Sequence, residues 1–325
     1  MVKSEPALAV SAMNRPSSQL RVSVVIPAFN AEATIAEAIA SVTAQQHKAV
    51  EVVVVDDGST DLTLERARAA SNSIIAIRQD NLGPAAARNS GLRAASGEVV
   101  AFLDADDVWL PGKLDAQLRL LESDPELGAV YSSWLVWQPG TPSPPVPPSD
   151  DLANIEVDEA ESGWLYTRLL QDCIVFTSSL CVRRSVIERV GEFDPTLKRG
   201  QDYDYWLRMS RVCRISKLRR PFVLYRVAGS NIVRRYPREN YVVRVLEQNW
   251  ARFGPSNPDG SDEYPRSSLD RRLASEWFNF AAYHAQQRNW LLAREAFGRS
   301  LRYMPGRGRA YAHWLRAAFY AVVSR

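Results

Sequence analysis

Short apolar runs alternate with amphipathic stretches through the first third of the chain, and this alternation predicts repeated βα units. Val22-Ser23-Val24-Val25-Ile26, stopped by Pro27, reads as a buried strand. Ala31 to Gln45 follows as a helix with Ile35, Ile39 and Val42 on one face. Val50 to Val55 is nearly all valine, as expected of a strand covered on both faces by helices. Asp61 to Ser71 reads as a helix, Ile74 to Arg78 as a third strand, and Pro84 to Ala95 as a helix with proline in its first turn. Glu98 to Leu103 is a fourth strand. Such units imply an α/β fold with a doubly wound, mostly parallel sheet and right-handed crossovers. Ligands bind such sheets at the C-terminal strand ends.

Later signals are sparser. Ala129 to Trp137 reads as a strand and Pro139 to Pro148 as an extended, solvent-facing loop. Gly163 to Leu170 reads as a helix, Ile174 to Val182 as extended, and Ser185 to Val190 and Gln201 to Arg211 as helices. After about Asn231 only helices are predicted. Leu273 to Gln287 and Trp290 to Leu301 form a pair resembling one tetratricopeptide-type hairpin. The expected organisation is a disordered lead-in over residues 1–20, an α/β domain over 21–230 and a helical region over 231–325.

Composition adds constraints. The 325 residues exceed what one ordinary core holds. From Asn231 onward there are 16 Arg against 8 acidic residues, a net +8, which leaves about −5 elsewhere in a chain of total charge +3. No nucleic-acid partner is expected. The basic tail is consistent with a solvated helix surface, and also with peripheral membrane contact. Cys173, Cys181 and Cys213 form no C-x-x-C pair, and three cysteines cannot all be bridged, which favours a cytoplasmic setting. His47, His284 and His313 lie far from them and from one another, so zinc is not expected. No stretch reaches the ~18 apolar residues of a membrane span.

The candidate chemistry lies at three strand ends: Pro27-Ala28-Phe29-Asn30, Asp56-Asp57-Gly58-Ser59 and Asp104-Ala105-Asp106-Asp107. Clustered carboxylates suit Mg²⁺ or Mn²⁺ shared with substrate phosphates, although aspartates also cap helices. A carboxylate at Asp57 can accept from a base N–H or from ribose hydroxyls. In Asn81 to Gly91, Gly83 permits a tight turn and the alanines allow close helix packing. Arg88 can reach a phosphate or anchor Asp104.

The blocks Val22 to Asn30, Val54 to Asp61, Asn81 to Leu92 and Phe102 to Trp109 together resemble the family 2 glycosyltransferases. The resemblance covers about Arg21 to Asn231. It implies the GT-A fold with a helical C-terminal extension, and inverting transfer from a nucleotide-diphosphate sugar to a glycan or lipid-linked acceptor. Pro27, Ala28 and Phe29 would line the nucleotide pocket and Asp57 would contact the base. Asp104 would lie near the ribose and Asp106 would ligate the divalent cation, leaving Asp107 as a cap. Arg199 to Arg208 resembles the acceptor-side motif, with Asp202 on the catalytic-base position and Gln201 where glutamate is usual. A helix N-terminal acid is the structural alternative for Asp202. Tyr225 to Asn231 resembles a further segment, with Ala228 where histidine is common. The glutamine-arginine-tryptophan signature of processive synthases is missing, which favours single addition. The non-catalytic alternative is a degenerate domain that binds nucleotide-sugars as a scaffold.

Overall fold

A computed structural model describes residues 20–48, 50–138, 156–227 and 237–323. The lead-in, the proline-rich loop and Ala228 therefore lie outside the described residues. The first half alternates as expected: β1 (Val22–Ala28), α1 (Ile35–Thr43), β2 (Val50–Asp56), α2 (Thr63–Ala70), β3 (Ile74–Arg78), α3 (Pro84–Ala94) and β4 (Val99–Phe102). The apolar runs are buried, with Val24, Ile26, Val53, Val54, Val99 and Val100 fully withdrawn from water. β1 is central, parallel to β2 on one side and to β4 on the other, and β3 extends the row beyond β2. This register places the ends of β1, β2 and β4 on one edge.

Helix α3 lies unusually close to this row. Gly91 faces Val25, and a β-carbon built there would come within 2.3 Å of Val25 Cγ1. Ala85 and Ala87 are buried beside it. The small residues set the helix–sheet spacing.

The second half is more irregular. After β5 (Val108–Trp109) come α4 (Lys113–Ser123), β6 (Leu127–Trp137), α5 (Tyr166–Gln171), β7 (Cys181–Arg183), α6 (Arg184–Val190), α7 (Gln201–Met209) and β8 (Arg214–Arg226). Within the described residues the sheet order is β3-β2-β1-β4-β7-β6-β8-β5. β7 runs antiparallel to both β4 and β6, β8 runs parallel to β6, and β5 pairs antiparallel with the far end of β8. Register shifts around Ser133 interrupt the β6–β8 ladder, and such irregularities bend strands. The sheet curls, and β8's last residues return to the loop that leaves β4. Ile174 to Val182, expected to be extended throughout, instead makes a 3₁₀ turn at Thr177–Ser179 before β7.

Among the described residues four helices follow: α8 (Tyr241–Phe253), α9 (Arg266–Gln286), α10 (Trp290–Tyr303) and α11 (Gly308–Val323). Short loops between the last three make each run back along its predecessor. One hydrophobic cluster joins Phe102, Tyr205 and Trp206 to Val243, Val245 and Leu246 of α8 and on to Trp277 and Phe297. Asn249 of α8 reinforces the seam, donating to Asp204 Oδ1 of α7 at 2.9 Å. All three cysteines are unbridged. No helix among the described residues is long and apolar enough to cross a membrane.

Candidate active site

The loop after β4 carries the aspartate cluster and is held in a fixed shape. Asp107 N–H donates to the Asp104 carbonyl at 3.0 Å, closing a turn. The next element is β5, and α4 begins only at Lys113 after Gly112. None of these aspartates caps a helix. Asp107 is buried, and its carboxylate accepts from Ser178 Oγ at 2.6 Å and from Arg226 N–H at 3.1 Å. The Ser178 hydroxyl also accepts from Asp104 N–H at 3.0 Å. One serine therefore ties both ends of the loop.

The charges here are only partly matched. Asp104 Oδ1 accepts from Arg88 Nη2 at 2.6 Å, so the ion-pair alternative for Arg88 is realised. Arg88 is buried, and the Phe193 ring lies 5.8 Å from its guanidinium carbon. Asn89, the next residue, fixes Phe193 by exchanging two 2.8 Å hydrogen bonds with its backbone. Arg226 stacks over Trp137 at 4.2 Å, donates to the Asp106 carbonyl at 2.8 Å and pairs with Glu37 of α1. Its guanidinium is thus shared between a carbonyl and the Glu37 carboxylate, and its charge offsets only part of the rise at Asp106. Burial, and then the neighbouring Asp104 charge, push the half-buried Asp106 carboxyl up to about 6. Burial and both neighbours also push Asp107 well above the usual range.

A surplus of negative charge in a partly dry loop is a setting a hard divalent cation relieves. Among the described residues no three or more potential ligands converge. The donor set therefore fits an ion bound by one or two carboxylates, with the remaining positions left to phosphate and water, as Mg²⁺ commonly binds.

The β1 and β2 ends form a second, interlocked part of the edge. Asn30 N–H donates to Ser59 Oγ at 2.9 Å, and Thr60 N–H donates back to Asn30 Oδ1 at 2.9 Å. Asp61 accepts from Thr63 N–H at 3.0 Å and so serves the start of α2. Ala28 is buried, Pro27 is intermediate, and Phe29 projects from the strand end with 47% of its surface exposed. Asp57 is buried, and its carboxylate accepts from Gln79 Nε2 at 2.7 Å, Leu82 N–H at 3.0 Å and Gly83 N–H at 2.8 Å. Here it organises the loop leading to α3. Gly83 enters that helix at φ 93°, a conformation that favours glycine.

Asp202 lies in the first turn of α7, as its structural alternative requires, and its carboxylate meets the turn that holds the aspartate loop. Thr177 Oγ1 donates to Asp202 Oδ2 at 3.5 Å, one residue from the Ser178 that holds Asp104 and Asp107. A second connection runs through Phe193, whose ring stacks on Tyr205 of α7 at 4.0 Å while its other contacts reach Arg88. Gln201 is buried with its Oε1 unpartnered among the described residues. The structure thus pairs Arg88 with Asp104 beside Asp106 and joins Asp202 to their loop only through the Thr177–Ser178 turn, with Pro27 to Phe29 and Asp57 on the adjoining strand ends. The sequence pattern does not single out Ser178 and Arg226, which hold the aspartate loop. The available signals were three consecutive hydroxyl residues, Thr177-Ser178-Ser179, inside an apolar run, and the Tyr225-Arg226 segment.

The model of glycosyl transferase family 2 matches residues 23–148. An uncharacterized glycosyltransferase of Nostoc sp. is 34% identical over 224 residues, 65% of this chain and 66% of that protein. The chain belongs to the family 2 glycosyltransferases. The matches span about three fifths to two thirds of the length of this and two further curated relatives from Rickettsia. The chain is also 28% identical, over 65% of its own length and 79% of the relative's, to an Escherichia coli protein. That relative is named UDP-Glc:alpha-D-GlcNAc-diphosphoundecaprenol beta-1,3-glucosyltransferase WfgD. Among solved structures, residues 1–349 of Staphylococcus aureus TarS with UDP-GlcNAc superpose with a TM-score of 0.63 at 20% identity, covering 92% of this chain and 89% of that one. The mannosyltransferase PcManGT of Pyrobaculum calidifontis, in complex with GDP-Man and Mn²⁺, gives 0.52 at 21% identity, covering 95% and 84%. At these identities the likeness concerns the fold, and the fold is GT-A: a curled, mostly parallel sheet followed by helices.

Proposed function

We propose that this chain transfers a sugar from a nucleotide-diphosphate sugar to a hydroxyl of a glycan or lipid-linked acceptor, by a single addition with inversion. The observation that carries the reading is the Thr177–Ser178 turn, which links Asp202 to the loop of Asp104 and Asp106. A base on the acceptor side and a diphosphate site then share one support. The WfgD relative, named for a UDP-sugar donor and a diphosphoundecaprenol-linked acceptor, supports both substrate classes, and the family membership supports the reaction.

Pro27, Ala28 and Phe29 would line the nucleotide pocket, with the exposed Phe29 ring offering it an apolar surface. Asp57 would accept from the base with the one lone pair of Oδ2 that its loop leaves free. Asp104, oriented by Arg88, would face the ribose. Asp106 would hold Mg²⁺ or Mn²⁺, which when bound neutralises charge on the diphosphate leaving group. Asp202 would take the proton of the acceptor hydroxyl as its oxygen attacks the anomeric carbon. The new C–O bond forms on the face opposite the breaking bond to the diphosphate, which departs with the electron pair. An α-linked donor therefore yields a β-linked product.

The test is diphosphate release from a panel of UDP- and GDP-sugars with lipid-diphosphate and glycan acceptors. Asp202→Asn should lower turnover at least about a hundredfold while donor affinity holds. Near-normal turnover by this variant removes Asp202 from the base role. Donor binding without turnover across the panel would favour the scaffold reading.

A further inference from the structure

Helix α11 is apolar on both sides, and the two sides differ in kind. Toward the protein it presents Ala310, Ala317 and Ala321, all buried. Toward solvent it presents Tyr311, Leu315, Phe319, Val322 and Val323, each more than half exposed. Tyr311, Leu315, Phe319 and Val322 recur three or four positions apart, Val323 adjoins them, and together they form one continuous stripe. A helix at the surface of a soluble domain ordinarily turns charged residues outward. A continuous outward apolar stripe marks a surface that meets something.

The surrounding charge narrows what that is. From Ala296 to Arg325 the chain holds six arginines and no aspartate or glutamate. Arg309 and Arg316 lie on α11 itself, both exposed, and Arg316 sits 5.8 Å from the Tyr320 ring. A second copy docking through the same stripe would bring like-charged helices together, because a two-fold contact sets a surface against itself. An anionic bilayer supplies both complements at once: apolar depth for the stripe and negative headgroups for the arginines. Sixteen residues of helix measure about 24 Å, and α11 is not long and apolar enough to cross. It suits lying in the interface plane.

We propose that α11 is a membrane-surface helix. Tyr311, Leu315, Phe319 and Val322 enter the boundary between headgroups and acyl chains of an anionic phospholipid bilayer, with Arg309 and Arg316 among the headgroups. The proposal stands independently of the transfer reaction.

Co-sedimentation of the full-length protein with vesicles tests it. Vesicles containing phosphatidylglycerol should carry the protein down at low salt, and pure phosphatidylcholine vesicles should do so far less. Each arginine near a charged surface is worth about fivefold in partitioning. Arg309→Gln with Arg316→Gln should therefore weaken binding roughly twentyfold, as high salt also should. Leu315→Asp with Phe319→Asp should abolish binding and leave the melting temperature unchanged, since both side chains face solvent. Failure to bind anionic vesicles overturns the proposal, and so does equal binding to neutral ones. Binding that survives the Leu315 and Phe319 changes overturns it as well. A wild-type dimer that those changes return to monomer, with no vesicle binding, assigns the stripe to self-association instead.

Discussion

Replacing Asp106 by asparagine should stabilise the metal-free fold at neutral pH even though the side chain is proposed to be essential for activity. Burial and the Asp104 charge raise this carboxyl from 3.8 to about 6. Below the lower value the group is protonated in both folded and unfolded chains and makes no difference. Between the two values the unfolded chain releases its proton while the folded chain keeps it, so stability falls as pH rises. Above about 6 both are ionised and the whole penalty remains. At 1.36 kcal/mol per pKa unit the ceiling is about 3 kcal/mol. Water reaching a half-buried group should reduce this to about 1–2 kcal/mol. Asparagine keeps the shape without the charge, and it also relieves Asp107, whose carboxyl Asp106 helps to raise. In the presence of a chelator, Asp106→Asn should melt roughly 2–5 °C above the wild type at pH 7.5, with the two converging near pH 4. Adding Mn²⁺ and UDP should reverse the order by stabilising the wild type alone. Equal or lower melting of the variant at pH 7.5, or a gap that does not shrink toward pH 4, would refute the reasoning.

Other substitutions probe the supports. Ser178→Ala removes hydrogen bonds to Asp104 N–H and to the Asp107 carboxylate. It should cost about 1–3 kcal/mol in urea denaturation and lower turnover by loosening the aspartate loop. Gly91→Ala sets a methyl group 2.3 Å from Val25 Cγ1. The overpacking should outweigh the gain in helix propensity and destabilise the fold by about 1–2 kcal/mol, read as a lower urea midpoint. Arg88→Met leaves Asp104 without its cation. It should weaken donor binding in calorimetry by about tenfold or more and lower stability by about 1–3 kcal/mol.

The parallel half of the fold was legible because its strands are buried on both faces and declare themselves as valine and isoleucine runs. β5 carries no such signal, and β7 shows only as the end of the extended stretch Ile174 to Val182. Two residues, Val108-Trp109, and three, Cys181-Val182-Arg183, become strands only because β8, β4 and β6 offer them edges. Tertiary pairing, not local pattern, creates them. The site divides in the same way. Asp57, Asp104 and Asp106 stand out because clustered carboxylates at strand ends have few structural excuses, whereas Asp202 is reached only through the resemblance of Arg199 to Arg208 to the acceptor-side motif. Ser178 does not stand out, since a serine in an apolar stretch has no period to betray it, and its importance arises from where the 3₁₀ turn delivers its hydroxyl. The resemblance leaves Asp107 as a cap. Its actual partners, Ser178 and Arg226, lie 71 and 119 residues away.

The continuous core across residue 231 has a practical consequence. A fragment ending there would expose the faces of Tyr205, Trp206 and Leu207 that Val243, Val245 and Leu246 now cover, and it would leave Asp204 without Asn249. Such a fragment should expose apolar surface and aggregate, so it would report on misfolding rather than on catalysis. Exchanging C-terminal regions between relatives meets the same obstacle unless α7 travels with α8. Acceptor preference is therefore better engineered by changing loops on the intact chain than by recombining its halves.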